Sequence, residues 1–170
     1  LYGFKREGLA KIDVVTDDMA KAVPGAGIVV VSFPAVGYKA FLERLIPHLE
    51  DGMVVHFTTA NFGSLLFRKM LREAGCAKKI VVGEWSSQPY GIRIKSMGGQ
   101  QMPEVSVNYW AITLRGAALP MTDQEAFFES KRYLPSLDSV EHPVHGDTVA
   151  DVGFSNVNPI LHCPGSILGV

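Results

Sequence analysis

Apolar residues in this chain fall into short β-branched runs separated by segments with helical spacing. Gly27-Ile28-Val29-Val30-Val31-Ser32-Phe33 is a run of the kind that fills a strand buried on both faces, and residues 52–57 and 79–84 repeat it. Between the first two runs, Tyr38, Phe41, Leu42, Leu45, Ile46 and Leu49 recur at the spacing of one helix face, with Pro47 weakening only the last turn. Between the second and third, Leu65, Leu66 and Met70 mark a helix over residues 62–74, with Gly75 as its stop. The order β-α-β-α-β predicts a parallel sheet with helical crossovers.

The pattern continues less regularly on both sides. Residues 11–15 read as another strand, followed by a short helix capped at Thr16 or Asp17 and closed by Pro24, so the sheet is expected to extend toward the N-terminus. Residues 104–114 alternate through Val105, Val107 and Tyr109, then Trp110, Ile112 and Leu114, which suggests one long strand, antiparallel to the others, after a connection at 98–103. Thr122-Asp123-Gln124-Glu125 is a capping box ahead of a helix at 124–134. The fold class expected is α/β: a Rossmann-like parallel sheet, its N-terminal part incomplete, with an antiparallel extension. The chain opens at Leu1 without a methionine and closes on an apolar tail, Gly165 to Val170, which reads as the middle of a longer polypeptide.

Composition narrows the functional classes. The chain has 170 residues and a formal net charge of -1, with no charged run, so it offers no bulk attraction to nucleic acid or to an acidic membrane surface. Cys76 and Cys163 lack the spacing of a metal site or a disulfide framework, so no metal is expected and a reducing cytoplasm is the natural location. No apolar run approaches the roughly 20 residues of a membrane helix.

In a parallel α/β sheet, ligands bind past the carboxyl ends of the strands. Here those segments are Phe33-Pro34-Ala35, Thr58-Thr59-Ala60-Asn61, and Trp85-Ser86-Ser87-Gln88-Pro89-Tyr90-Gly91-Ile92-Arg93. They are small, hydroxylated or aromatic, a chemistry that suits a ribose and nicotinamide or a small polar substrate better than a polyphosphate. Ordinary turns use the same residue types. A dinucleotide site should also carry a Gly-rich turn between a strand and a helix; Gly25-Ala26-Gly27 precedes a strand and opens no helix, so it fails that context.

Near the end, Ser155-Asn156-Val157-Asn158-Pro159-Ile160-Leu161-His162-Cys163-Pro164 sets an imidazole and two carboxamides among apolar residues. Ser155 and Asn156 are good N-caps and Pro159 suits a first turn, so a helix is expected to begin there. Asn158 and His162 would then share a face, and a neutral imidazole could give or take a proton near neutral pH. A histidine satisfied by a backbone carbonyl would leave the same trace.

Four segments in one order, Val31-Ser32-Phe33-Pro34-Ala35, then residues 67–75, then Gly83-Glu84-Trp85-Ser86-Ser87 with Arg93, and last Asn156 to His162, resemble the opine dehydrogenases of the octopine/nopaline group. That resemblance implies an NAD- or NADP-dependent reductive condensation of a 2-oxo acid, such as pyruvate, with the amino group of an amino acid. It implies a nucleotide-binding domain over residues 1–154, and a helix from 155–170 leading to a second domain that holds the rest of the active site. On this template His162 is the general acid/base, and Asn158, Ser86, Ser87 and Arg93 bind substrate. Phe33, Pro34, Ala35 and Thr58 line the cofactor. Phe57-Thr58-Thr59 departs from the Asn-Pro-Gly turn of related chains, and Cys163 stands where relatives place proline. Exposed apolar surface would favour association, with a homodimer as the expectation. A ketopantoate reductase or glycerol-3-phosphate dehydrogenase-like enzyme would carry lysine at the position of His162, and a noncatalytic α/β module would bind no nucleotide.

Overall fold

The computed structural model describes residues 8–9, 11–138, 140–156, 163 and 166–167. Strand β1 (Ile28–Val31) leads through a 3-10 turn at Ala35–Gly37 into the second helix; the first, α1, is the single turn Met19–Ala22. Helix α2 (Tyr38–Leu45) relaxes into a 3-10 turn at Ile46–His48, where Pro47 lies, and strand β2 (Val54–Phe57) follows. Helix α3 (Gly63–Glu73) ends at Gly75, whose φ of 62° takes the left-handed turn a side chain would resist, and β3 (Val81–Trp85) completes the unit. The three strands pair in parallel, Ile28 with Val54 and Val54 with Val81, as the hydrophobic runs predict.

The structure departs from expectation in four places. Residues 104–114 are two strands, not one. The first part belongs to a separate hairpin, β4 (Tyr90–Met97) with β5 (Gln100–Trp110), and the second begins β6 (Thr113–Ala118), which joins the main sheet antiparallel to β3. The apolar alternation runs through Ala111 and Ile112 without a polar break, so the change of sheet leaves no mark in it. The connection expected at 98–103 is only the two-residue turn Gly98-Gly99, at φ 60° and 82°, the geometry that a tight hairpin requires, and residues 100–103 belong to β5.

Second, residues 11–15 form no strand: Ile12, Val14 and Val15 are exposed, because a strand exists only through its ladder and no neighbour provides one. The short helix that follows is capped by Asp18, not by Thr16 or Asp17. Third, the capping box is not used. A 3-10 turn at Met121–Asp123 places Thr122 inside the turn, Asp123 pairs with Arg68 at 3.0 Å, and Gln124 accepts the Ala118 amide at 2.7 Å. Helix α4 (Gln124–Ser130) is therefore shorter than the expected 124–134, with a 3-10 turn at Lys131–Tyr133. A short helix, α5 (Pro135–Asp138), and strand β7 (His142–His145) follow. Fourth, an unexpected helix, α6 (Val149–Phe154), is capped by Thr148, its side chain accepting the Asp151 amide. Ser155 closes that helix; the start of the helix expected after it lies outside the described residues, and Cys163, Ser166 and Ile167 are helical.

The main sheet runs β1-β2-β3-β6-β7. Alternation along its strands separates two cores. Val31, Val55, Phe57 and Val82 face α2 and α3 through Leu42, Leu45, Phe67 and Met70. Val54, Trp85, Leu114 and Ala118 face α4 through Phe127 and Phe128. Gly83 and Gly116 leave room for this second cluster, since a Cβ at Gly83 would lie 2.5 Å from the Phe127 ring and one at Gly116 2.7 Å from Trp85. Beyond the outer edge of β1 lies a groove of about 450 Å³, bordered by Thr16, Met19, Val30, Phe41 and Arg44.

His56 sits inside the second core with no solvent exposure. Trp85 Nε1–H donates to its Nδ1 at 3.0 Å, so the neutral ring carries its proton on Nε2 and donates to Ser130 Oγ at 2.8 Å; that hydroxyl donates to the Phe127 carbonyl at 2.7 Å. Every polar atom in the relay is satisfied, and Phe127 stacks on the imidazole at 4.6 Å. Burial pushes the His56 pKa down to about 3, and a second ring proton would oppose the Trp85 N–H. Because the folded value lies below the unfolded one of about 6.5, stability gained from this residue is complete above pH 6.5 and is lost as pH falls toward 3. The wild-type advantage over His56→Gln, read by denaturant titration, should shrink by a few kcal/mol between pH 7 and pH 3. A pH-independent difference would contradict the buried neutral ring.

Candidate functional site at the carboxyl ends of the parallel strands

Because β1, β2 and β3 are parallel and in register, the segments that follow them emerge at one end of the sheet. Past β1, Phe33 packs edge-on against Tyr38 and Phe41, with ring centroids 5.6 and 5.0 Å apart, while Pro34 and Ala35 stay exposed at the entry to α2. Past β2, Thr58 is buried: its hydroxyl donates to the Val31 carbonyl at 3.3 Å and its amide to the same oxygen at 3.2 Å. Thr59 Oγ1 meets the Tyr38 hydroxyl at 2.8 Å. These bonds tie the second loop to the first. Past β3, Ser86 is buried at the start of the third loop and Ser87 is half-buried beside it.

The structure thus brings Phe33, Pro34, Ala35, Thr58, Ser86 and Ser87 to one end of the sheet. Arg93 is placed elsewhere, exposed on β4 of the hairpin, where its guanidinium donates to the Ile92 carbonyl at 2.9 Å. Asn158 and His162 lie outside the described residues. Asn156, just before them, is buried. Gly25 precedes β1, at the opposite end of the sheet, and its amide points to the Glu50 carboxylate at 3.3 Å.

Three polar groups at this end were not singled out from sequence. Glu84, the penultimate residue of β3, has no solvent exposure and projects to the α3 side, opposite to Trp85. Its Oε2 accepts the Ser64 amide at 3.5 Å in the first turn of α3, whereas Oε1 and Ser64 Oγ have no hydrogen-bond partner. Burial pushes the Glu84 carboxyl up to about 7, partly opposed by the Ser64 and Gly63 amides. The acid was legible only as one charged residue closing an otherwise apolar run. Arg115 and Asp151 form the other feature, an ion pair of 2.7 Å between β6 and α6. The Arg115 hydrogen bond holds the Asp151 carboxyl below its ordinary range.

The helix that precedes the Asn158 segment is anchored to the same end. Val149 and Val152 of α6 pack with Ala60 of the second loop and Ala117 of β6. Phe62, at a left-handed φ of 57°, lays its ring against Phe154 at 5.7 Å, and a Cβ on Gly153 would come within 2.5 Å of that ring. A bulky residue rarely holds that backbone conformation without surrounding contacts to fix it. Among the described residues no group of three or more His, Cys, Asp or Glu could hold a metal ion, and no helix is long and apolar enough to cross a membrane.

No family model matches the chain. By sequence it is similar to an opine dehydrogenase of Arthrobacter sp. (strain 1C), 28% identical over 157 residues, which are 91% of this chain and 40% of that protein. An opine dehydrogenase of Haliotis discus hannai is 28% identical over 115 residues, 66% of this chain and 28% of that protein. The chain therefore spans about two fifths of the length of the first relative. The fold is similar to octopine dehydrogenase solved with NADH and L-arginine, at TM-score 0.70 and 17% identity over 89% of this chain and 36% of that one. Yersinopine dehydrogenase with NADP+ bound follows at TM-score 0.58 and 18% identity, over 86% and 34%. The fold is α/β and Rossmann-like, and the chain is similar in sequence to opine dehydrogenases.

Since the folded pKa of Glu84 lies above the unfolded 4.5, its contribution is full below pH 4.5 and is lost as pH rises through 7. Glu84→Gln, which removes the ionisation but keeps the shape, should gain about 3 kcal/mol relative to wild type between pH 4.5 and pH 8. Parallel stability curves for the two proteins would show that the carboxyl ionises freely.

Proposed function

We propose that this chain supplies the nucleotide-binding part of an NAD(P)H-dependent opine dehydrogenase, which condenses a 2-oxo acid with the amino group of an amino acid and reduces the imine. The observation that carries the reading is that an opine dehydrogenase aligns with 91% of the chain while the fold keeps three parallel strand ends together. The loops fit the nicotinamide side of such a cofactor: exposed Pro34 and Ala35, an aromatic wall at Phe33, and hydroxyls at Thr58 and Thr59. They do not fit the pyrophosphate, because Gly25-Ala26-Gly27 lies at the other end of the sheet and opens no helix.

In this reading NAD(P)H supplies the hydride. Phe33, Pro34, Ala35 and Thr58 line its nicotinamide ribose, while Ser86 and Ser87 serve the substrates. His162 gives a proton to the nitrogen or oxygen that is losing its bond order and takes one back in reverse, with Asn158 one helical turn before it to orient substrate or ring. A cytoplasmic location and a homodimer are part of the proposal. The hairpin motivates the second: Ile92, Ile94, Val105 and Val107 share one face and are all exposed.

In the full-length protein NAD(P)H oxidation should require oxo acid and amino acid together, and His162→Ala should remove most turnover while sparing cofactor affinity. Oxidation with the oxo acid alone, or near wild-type turnover in that variant, would contradict the assignment. Sedimentation equilibrium should give a dimer that Ile94→Lys converts to monomer; a monomeric wild type removes that part.

A further inference from the structure

Arg115 is a cation that cross-strand pairing places beside the third loop. The Ser86 amide donates to the Arg115 carbonyl at 2.7 Å, and the Arg115 amide donates to Ser86 Oγ at 3.1 Å. Residues opposed in this way project to the same face. Leu114, Gly116 and Ala118 turn to the Trp85 side, so Arg115 and Ala117 share the other face with Glu84 and Ser86.

The guanidinium is held without being enclosed. One Nη1 donates to Asp151 Oδ2 at 2.7 Å, and the side chain keeps 38% of its surface in solvent. That bond uses one of five donors. Asp151 is itself fixed, since the same oxygen accepts the Asp147 amide at 3.2 Å and its own amide donates to the Thr148 hydroxyl at 3.1 Å. An arginine oriented from one side by a fixed carboxylate, with exposed donors on a strand paired to the start of the third loop at Ser86, matches the planar fork that receives a second carboxylate. Arg93, in contrast, is turned back on its own strand, where its guanidinium donates to the Ile92 carbonyl.

We propose that Arg115 anchors a substrate carboxylate beside Ser86 and Ser87, with Asp151 as the positioning residue that orients its guanidinium. The inference rests on the dehydrogenase reading above, in which both the oxo acid and the amino acid carry such a group. Asp151 neutralises the arginine before substrate arrives, and the ligand is recognised by the remaining donors.

The test uses the full-length protein with pyruvate, an amino acid and NAD(P)H, and compares pyruvate with pyruvamide, which keeps the shape and lacks the charge. Arg115→Ala should raise the KM of one carboxylate substrate roughly 10- to 100-fold, with the cofactor Kd and the KM of pyruvamide unchanged. A rise in pyruvate KM identifies the oxo acid as the anchored ligand, and a rise confined to the amino acid KM identifies that substrate instead. Arg115→Lys should recover part of the loss, and Asp151→Asn should raise the same KM several-fold. Equal rises in the KM of pyruvate and the KM of pyruvamide, no rise in the KM of either carboxylate substrate, or a weakened cofactor Kd would overturn the proposal in favour of a structural clamp.

Calorimetry with pyruvate and with the amino acid separates the two readings. Absence of coupled turnover alongside carboxylate binding that Arg115→Ala abolishes would sink the dehydrogenase reading and keep the anchor. Binding of neither carboxylate by the wild type would overturn the anchor as well.

Discussion

Everything at the candidate site depends on the burial of β2. Each of its residues, Val54 to Phe57, is buried between two parallel neighbours, so both faces of one short strand must be satisfied at once. Val55 and Phe57 join the core under α2 and α3, while Val54 faces the Trp85 and Phe127 side. His56 points the same way as Val54 and is tolerated because both ring nitrogens are bonded. A slip of one residue would exchange His56 for Phe57 and orphan Trp85 and Ser130. With the register held, the three strands end level and their loops meet.

The polar groups at that end belong to one face of the sheet. Glu84 under the first turn of α3, Ser86 at the loop, and Arg115 paired to Asp151 all project to the side carrying α3 and α6. The second core, by contrast, keeps the buried His56 ring neutral and fully bonded. The division explains why a histidine buried in the core reads as structural, while an arginine with exposed donors reads as a ligand anchor.

Much of the parallel unit was legible because its signal is local. Hydrophobic runs, helical spacing, Pro47 and Gly75 each report on their own element, and the strands at 28–31, 54–57 and 81–85 lie within or one residue beyond the expected runs. What was illegible depends on choices between distant segments. Nothing in residues 104–114 says that Gln100–Trp110 pairs with β4 while Thr113–Ala118 crosses to β3. Thr122 and Glu125 have the capping pattern, yet Asp123 is drawn to Arg68 across 55 residues. Thr148 caps a helix, Val149–Phe154, that no pattern in the sequence announced. The loops could be located from sequence, but Arg115 and Asp151 could not, since only the pairing of β6 with β3 and the docking of α6 bring them to Ser86.

The central claim is that the loops past β1, β2 and β3 form one cofactor-facing surface. Hydrogen exchange of the full-length protein with and without NAD(P)H tests it most directly. Protection should appear in residues 33–36, 58–62 and 86–88 together, and the hairpin at 90–110 should be unaffected. Protection of the hairpin or of β7, with those three segments unchanged, would contradict it.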